Sequence, residues 1–214
     1  MQNKNLPTAS ELRKKGVLLE GDRAIAFAQR LKGSPLTEAE KEVVLREGYS
    51  PVKYADDKGI PTIGFGQTGA AMKKDFFSVF NQKEKEITRY FPNYNKLDDN
   101  MKATLMGLYY RGDVKKDYNW VKEFNKGNYE AAATNLLDND EYRKRLEAGG
   151  PDGVVDRFNS AFSNIMNYGQ SKTKPVDVGT TQMSGNDMVS LGELLGKSGT
   201  GLENELLSRN DMWT

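Results

Sequence analysis

The chain has 214 residues, of which 37% are hydrophobic and 29% are charged, so its length and composition suit one sizeable globular core. It contains neither Cys nor His, which excludes disulfides, thiol nucleophiles, Ser-His-Asp triads and most zinc sites. Any acid–base chemistry must therefore depend on Asp and Glu, with Lys or Tyr as less favourable substitutes.

The sequence carries no segment that is typical of a membrane or secretory protein. It has no run of about 18 apolar residues, so no membrane-spanning helix is predicted. The first residues lack the apolar stretch of a signal peptide, and the apolar run at 24–28 is too short to serve as one. Synthesis in the cytoplasm is therefore expected, whatever route the protein takes later.

Two helix starts are marked by capping boxes, in which a Thr is followed three residues later by a Glu. The two pairs are Thr8 with Glu11 and Thr37 with Glu40. Each pair satisfies backbone N–H groups at a helix start, so each predicts a helix that begins at the next residue.

Residues 1–36 are interpreted as a small helical appendage that lies on the main domain. Within them Asp22 is expected to cap a helix that Gly33 ends. The segment carries seven Lys and Arg against three Asp and Glu. Such a basic segment can meet nucleic acid, an anionic envelope or a protein partner, although a solvated helical face is the simpler interpretation.

The helix that follows the second capping box is predicted to turn Val43, Val44 and Leu45 inward. Gly48 is expected to end this helix, which places Glu47 on its last turn, at the edge of whatever cleft the helix borders.

A β-hairpin is predicted directly after this helix. Its strands are the runs at 52–55 and 60–66, and Gly59 supplies the positive φ that the turn between them requires. Pro61 near the start of the second run indicates an edge strand or a bulge.

The rest of the chain is predicted to be helical as far as residue 168. A long helix at 75–91, which Pro92 ends, is expected to connect two lobes. Further helices are predicted at 97–110, 119–126, 129–137, 139–148 and 153–168. Leu97, Met101, Leu105 and Leu108 have the spacing of core positions.

The predicted fold class is α+β and mostly helical, with a small lobe that contains the hairpin, a connecting helix and a larger helical lobe. The cleft is expected between the lobes. The domains are predicted as an appendage at 1–36, a main domain at 37–168 and a linker with a docking tail at 169–214, where Gly, Ser and Thr become frequent.

The stretch from Glu47 to Thr68 holds residues that suit glycoside hydrolysis, which requires two carboxylates at the bond to be cleaved. Glu47 is placed to be the protonated acid, with Leu45, Ile63 and Phe65 expected to make its surroundings apolar and raise its pKa. Taken alone, a Glu at a helix end is more often a solvated charge.

The second carboxylate of the stretch is Asp56, which lies at the more exposed hairpin turn and suits the ionised role. Thr62 could hold a nucleophilic water with its hydroxyl group. Gly64 and Gly66 leave the strand bare, so that a sugar can approach the backbone. Each of these residues alone also has a plain structural explanation, namely turn chemistry or strand formation.

The spacing of these residues resembles the active-site segment of phage-type lysozymes, the family 24 glycoside hydrolases. That family has Glu-Gly at a helix end, an Asp nine residues after the Glu, and a Thr-Ile-Gly-x-Gly-His run whose Thr lies six residues after the Asp. Glu47-Gly48, Asp56 and the Thr-Ile-Gly-Phe-Gly run at 62–66 match without a gap, whereas Gln67 stands where the family usually has His. The looser similarity of the helices covers 37–168.

The resemblance implies that Glu47 is the general acid, Asp56 the second carboxylate and Thr62 a partner of the attacking water. It implies cleavage, with inversion, of the β-1,4 bond between N-acetylmuramic acid and N-acetylglucosamine. The residues expected to contact the substrate are Gly64, Phe65, Gly66, Gln67, Thr68 and Tyr110. No metal and no organic cofactor is expected.

Bacterial peptidoglycan is the partner that the resemblance implies, and it is reached in the periplasm after synthesis in the host cytoplasm. Either a lysis enzyme or a lysozyme carried in the virion fits, and other virion proteins could bind through 1–36 or 169–214. Nucleic acid is not an expected partner, because the middle of the chain is near neutral and lacks a known reading motif.

Two further readings of the sequence stay open. One is a virion structural or wall-binding protein that has the lysozyme fold without turnover. The other is a lytic transglycosylase, which needs only the acid and forms an anhydro sugar. The intact set of Glu47, Asp56 and Thr62 counts against the first, because a degenerate site would have no reason to keep it. Asp56 and Thr62 count against the second.

Overall fold

A computed structural model describes residues 6–56, 58–149 and 153–172 of the chain. These residues lie within one compact unit, which spans Met1–Lys174, and they have an α+β, mostly helical fold, as the sequence predicts. The helices are α1 (Ala9–Lys14), α2 (Gly21–Lys32), α3 (Glu38–Glu47), α4 (Phe76–Ile87), α5 (Asp99–Arg111), α6 (Asn119–Lys126), α7 (Tyr129–Leu137), α8 (Asp140–Ala148) and α9 (Gly153–Lys172). The strands are β1 (Ser50–Ala55), β2 (Pro61–Gly64) and β3 (Gln67–Thr68).

Both capping boxes form as predicted. The Thr8 and Thr37 hydroxyl groups accept hydrogen bonds from the backbone N–H groups of Glu11 and Glu40, whose carboxylates accept from the two Thr N–H groups at 2.7 Å. Asp22, in contrast, does not cap α2. It lies in the first turn of that helix, whose N-cap is Glu20 without a side-chain hydrogen bond.

The segment before residue 37 is joined closely to the sheet and to the helices behind it. The backbone of Leu19 exchanges two hydrogen bonds with that of Tyr49, so the chain is already fixed where α2 begins. Helix α2 then contributes Ala24 and Ala28, neither of which has exposed surface, to the main core. Gly33 ends the helix in the left-handed region, as predicted.

The three strands form an antiparallel sheet in the order β1-β2-β3. Strand β2 is therefore central rather than an edge strand, and Pro61 is tolerated because it is the first residue of that strand. Its partner β1 has an irregular register between Ser50 and Tyr54, which corresponds to a bulge.

Helix α5 carries the predicted core positions. Leu97, Met101, Leu105 and Leu108 are all buried, and Asp98 caps the helix with a 2.8 Å bond from Met101 N–H. Helix α4 is shorter than the predicted 75–91, since it ends at Ile87 and the chain continues in turns.

A row of aromatic rings joins the sheet to the helical core. Phe27, Tyr49, Phe65 and Phe76 follow one another with ring centroids 4.2, 4.9 and 4.6 Å apart. Such tilted ring contacts add to the free energy of simple burial, so the row couples the sheet rigidly to α2 and α4.

Helix α9 continues to Lys172, four residues beyond the predicted end, and packs along α7. The remainder of the tail predicted at 169–214 lies outside the described residues. Among the described helices, none combines the length and apolar character that crossing a membrane requires.

Gly169 is required at the contact between α9 and α7, because a Cβ atom there would lie 2.7 Å from Cβ of Tyr129. We expect Gly169→Ala to lower the free energy of unfolding by about 1–3 kcal/mol through overpacking. Chemical denaturation monitored by circular dichroism measures this change.

The matched control for this prediction is Gly153→Ala at the start of the same helix. A Cβ atom there would meet no described atom within 4 Å, so the substitution should be neutral or slightly stabilising. Equal stability of the Gly169→Ala variant and the wild type would contradict the tight packing.

Candidate active site

Glu47 is the last residue of α3, and the fold fixes the residue that follows it. Gly48 has a φ of 63°, and a Cβ atom at this position would lie 2.8 Å from the carbonyl oxygen of Leu19. Only glycine tolerates both constraints. The Glu-Gly pair thus marks a turn that requires glycine. The Glu47 side chain beside this turn is 24% exposed.

The Glu47 carboxylate lies against the turn between β2 and β3. A Cβ atom on Gly66 would overlap Oε2 of Glu47 and would lie 3.0 Å from its Cδ. Gly66 also has a φ of 72°, so glycine serves both the turn and the approach of the carboxylate. The structure therefore brings the Glu47 carboxylate against the Gly-rich run, where it fills the space beside Gly66 that the sequence predicts to be open to a sugar.

Burial raises the pKa of the Glu47 carboxyl group, although three cations oppose the effect. Arg157 is the nearest, with its Nη2 atom 3.6 Å from Glu47 Oε1, and Arg111 and Lys83 act from farther away. A carboxyl group with a raised pKa keeps its proton at higher pH, which is the property that a general acid needs.

The apolar surroundings of Glu47 differ from those that the sequence predicts. Val43 and Val44 are buried as expected, but Leu45 is 43% exposed and does not shield the acid. Successive residues of a helix point about 100° apart, so three in a row cannot all face one core. The shielding comes instead from the β2–β3 turn and from α9.

Arg157 on α9 is the partner of Glu47 that the sequence did not reveal. It is a single Arg in an otherwise ordinary amphipathic helix more than a hundred residues away, so no local pattern marks it. Its side chain is only 11% exposed, and its Nε and Nη1 atoms have no acceptor among the described residues. Unpaired buried donors lower stability, which is characteristic of functional sites.

A second charged group adjoins the first. Arg111 donates hydrogen bonds to Asp113 at 3.2 Å and to Glu141 at 2.6 Å. Burial raises the pKa of Asp113 against the attraction of Arg111 and Arg157. Asp113 and Glu141 also line a cavity of about 520 Å³ between the helices, together with Trp120.

Asp56 lies at the hairpin turn, as predicted, and stabilises that turn. Its Oδ1 atom accepts hydrogen bonds from the backbone N–H groups of Lys58 and Ile60 at 2.9 and 2.7 Å. Both of these bonds use Oδ1, and together they hold the carboxylate in a fixed orientation.

Thr62 lies on β2, the central strand of the sheet. It pairs with Tyr54 on one side and Thr68 on the other, while the adjacent Pro61 pairs with Ala55 next to Asp56. Its side chain is buried, and its hydroxyl group donates to the carbonyl of Ile60 at 3.0 Å. The hydroxyl oxygen can still accept a hydrogen bond from water.

Gln67, which stands where phage-type lysozymes usually have His, has a structural position. Its side chain is buried, and its Nε2 atom donates to the carbonyl groups of Ala71 and Lys74 at 3.1 and 2.7 Å. A Cβ atom on Gly64 would overlap its Oε1 atom. Gln67 therefore holds the segment after β3, and in this conformation its side chain does not face a substrate.

Two of the aromatic residues predicted at the substrate are connected to each other. Phe65 is buried in the row of rings, so only its backbone is available to a ligand. The Tyr110 hydroxyl group donates to the Phe65 carbonyl at 3.1 Å, and burial together with the charge of Glu47 raises the pKa of Tyr110. Thr68 at the end of β3 is exposed.

Comparisons with known proteins do not identify the chain. Neither the scan against protein-family models nor the search of curated proteins finds a match. Within the part of the chain that the structure describes, no three acidic side chains are grouped so that they could hold a metal ion. The function must therefore be inferred from the geometry of the residues themselves.

The raised pKa of Glu47 predicts that Glu47→Gln stabilises the fold at neutral pH. Because its pKa exceeds the ordinary 4.5 in the folded state, wild-type stability falls as pH rises from about 4.5 through the folded pKa. Gln remains neutral and avoids this loss, so we expect a gain of about 1 kcal/mol at pH 7.

Urea denaturation of both proteins between pH 3.5 and pH 8 measures this effect. The two stability curves should converge at the acidic end, where Glu47 is protonated in the folded and unfolded states. A Glu47→Gln variant that is less stable than the wild type at pH 7 would show that Glu47 is stabilised as a carboxylate.

Proposed function

We propose that the protein is a peptidoglycan hydrolase that cleaves the β-1,4 bond between N-acetylmuramic acid and N-acetylglucosamine. The observation that carries the proposal is the position of Glu47, whose partly buried carboxyl group lies against the Gly66 turn with a raised pKa. The match of Glu47, Asp56 and Thr62 to the spacing of phage-type lysozymes supports the same conclusion.

In the proposed reaction Glu47 donates its proton to the glycosidic oxygen as the bond between that oxygen and the sugar carbon breaks. The leaving sugar departs as an alcohol, and positive charge develops on the remaining sugar ring. Arg157 keeps the Glu47 carboxyl group oriented and stabilises the carboxylate that remains after proton transfer.

Asp56 supplies the second carboxylate in this proposal. It is ionised before the reaction, stabilises the positive charge on the ring and steers a water molecule to the opposite face of the sugar. Thr62 accepts a hydrogen bond from that water. The water oxygen bonds to the sugar carbon, and the proton that it loses passes to the Asp56 carboxylate. The product has inverted configuration if the water attacks directly, as the resemblance implies.

The exposed end of β3 at Thr68 is the proposed contact of the glycan. The backbone at Gly64 and Gly66 is not bare as predicted, because the Gln67 and Glu47 side chains occupy the space beside these two residues. Tyr110 supports the turn indirectly, since it holds the Phe65 carbonyl group. The protein would act on the wall in the periplasm, as a phage lysis enzyme or as a virion-borne lysozyme with partners on 1–36 or 169–214.

A lytic transglycosylase is the second candidate, and the burial of Thr62 is the observation that favours it. A hydroxyl group that donates to Ile60 within the sheet is less available to a nucleophilic water. Without that water, the sugar's own hydroxyl group would attack and form a 1,6-anhydro end. Mass spectrometry of the released fragments separates the two enzymes, because the anhydro product is lighter by one water.

The first test is the clearing of purified Gram-negative peptidoglycan by the wild type and by Glu47→Gln. We expect the wild type to release ordinary reducing ends and the variant to lose activity by about a thousandfold, since a general acid contributes 10²–10⁴-fold. Glu38→Gln, an exposed change at the start of the same helix, is the matched control and should retain activity.

A wild type that sediments with the wall and releases no fragments would exclude the enzyme. That result would favour the wall-binding protein without turnover, and an active Glu47→Gln variant would remove Glu47 from the mechanism.

Arg157→Met provides a test of the electrostatics of the acid. Arg157 lowers the pKa of Glu47, so its removal should raise that pKa and move the alkaline limb of the kcat/KM profile to higher pH. Arg111 and Lys83 remain and act in the same direction as before.

The profile of wall hydrolysis between pH 4 and pH 9 measures this shift. Arg30→Met on the exposed face of α2 is the control for loss of one positive charge. An alkaline limb that moves to lower pH in Arg157→Met, or does not move, would show that another group governs it.

A further inference from the structure

The cations around Glu47 differ in one respect, which is whether a carboxylate neutralises them. Arg157 has Glu47 itself, and Arg111 has Asp113 and Glu141. Among the described residues, no carboxylate lies within salt-bridge distance of Lys83, although the charges of Glu86 and Glu47 act on it from farther away. Lys83 is thus a cation without a direct carboxylate partner at the candidate site.

The ammonium group of Lys83 is held over two aromatic faces. Its Nζ atom lies 4.9 Å from the ring centroid of Tyr110 and 5.3 Å from that of Tyr109. Both rings are fixed by their hydroxyl groups, which donate to the Phe65 carbonyl and to Glu86 at 3.1 Å. The position of the charge is therefore defined by the fold.

Glu86 on the same helix attracts Lys83 from a distance, but its two carboxylate oxygens accept hydrogen bonds from other groups. One oxygen accepts from Gln82 Nε2 at 2.8 Å, and the other accepts from Tyr109. Lys83 is half-buried and has lost part of its hydration. Its cation–π contacts with the two Tyr rings compensate for part of that loss. An anionic ligand beside it would gain a charge-assisted hydrogen bond.

We propose that Lys83 binds a carboxylate of the glycan substrate next to the cleaved bond, and so makes the site selective for anionic over neutral glycans. The inference rests on the proposed function, because it takes the glycan to bind beside Glu47. Peptidoglycan carries free carboxylates on the peptides attached to muramic acid, whereas chitin has similar β-1,4-linked amino sugars and no carboxylate.

The experiment compares intact peptidoglycan with the same material after its carboxylates have been converted to amides by carbodiimide and ammonia. We expect Lys83→Met to lower kcat/KM on intact walls about tenfold, mainly through KM, and to have little effect on amidated walls. On amidated walls the kcat/KM of the wild type should fall to that of Lys83→Met.

Two variants separate charge recognition from a structural role. Lys83→Arg keeps the cation and should recover most of the activity on intact walls. Lys85→Met removes an exposed charge two residues along the same helix and should leave both substrates unaffected. Thermal unfolding of each variant shows whether the fold is retained.

Equal losses on intact and amidated walls in Lys83→Met, or a wild type that is indifferent to amidation, would overturn the proposal. If the wild type shows no hydrolytic activity, the proposed function is wrong, and binding to walls then tests whether Lys83 recognises carboxylates. In that arm the Glu47→Gln protein should sediment with intact walls more strongly than with amidated walls, and Lys83→Met should abolish the difference.

Discussion

The candidate site depends on the contact between the Glu47 carboxyl group and the backbone of Gly66. The contact exists because Gly66 carries no side chain, so the carboxyl group at the helix end approaches the strand turn without an intervening atom. This approach removes water from the carboxyl group, and the loss of water raises its pKa more than the neighbouring cations lower it. Desolvation therefore outweighs charge attraction, and the balance favours an acid over a carboxylate.

Three elements that are distant in the sequence have to meet for this balance to arise. Helix α3 provides the acid, the β2–β3 turn provides the cover, and α9 provides Arg157. The row of aromatic rings fixes the sheet against α2 and α4, and α5 packs against both α3 and α9. The geometry of the acid is thus a property of the whole core, although the residues that approach it are few.

Local signals in the sequence predicted much of the fold. The capping boxes, the glycine helix ends and the core spacing of α5 are short-range patterns, and the structure has each of them. Asp22 was assigned wrongly as a cap because the backbone pairing of Leu19 with Tyr49 fixes the start of α2. Leu45 was assigned wrongly as an inward residue because the rotation of α3 turns it toward solvent. Arg157 and Lys83 could not be predicted, since their significance depends on contacts across the fold.

The cations around the acid have different physical effects, and the difference lies in their partners. Arg157 faces Glu47 directly and stabilises its ionised form, whereas Arg111 is occupied by Asp113 and Glu141. Among the described residues, Lys83 has aromatic faces and no carboxylate within salt-bridge distance, so a negatively charged ligand gains more at Lys83 than at the paired arginines. Under the proposed function, this pairing of one acid with one such cation would suit a glycan that carries its own carboxylates.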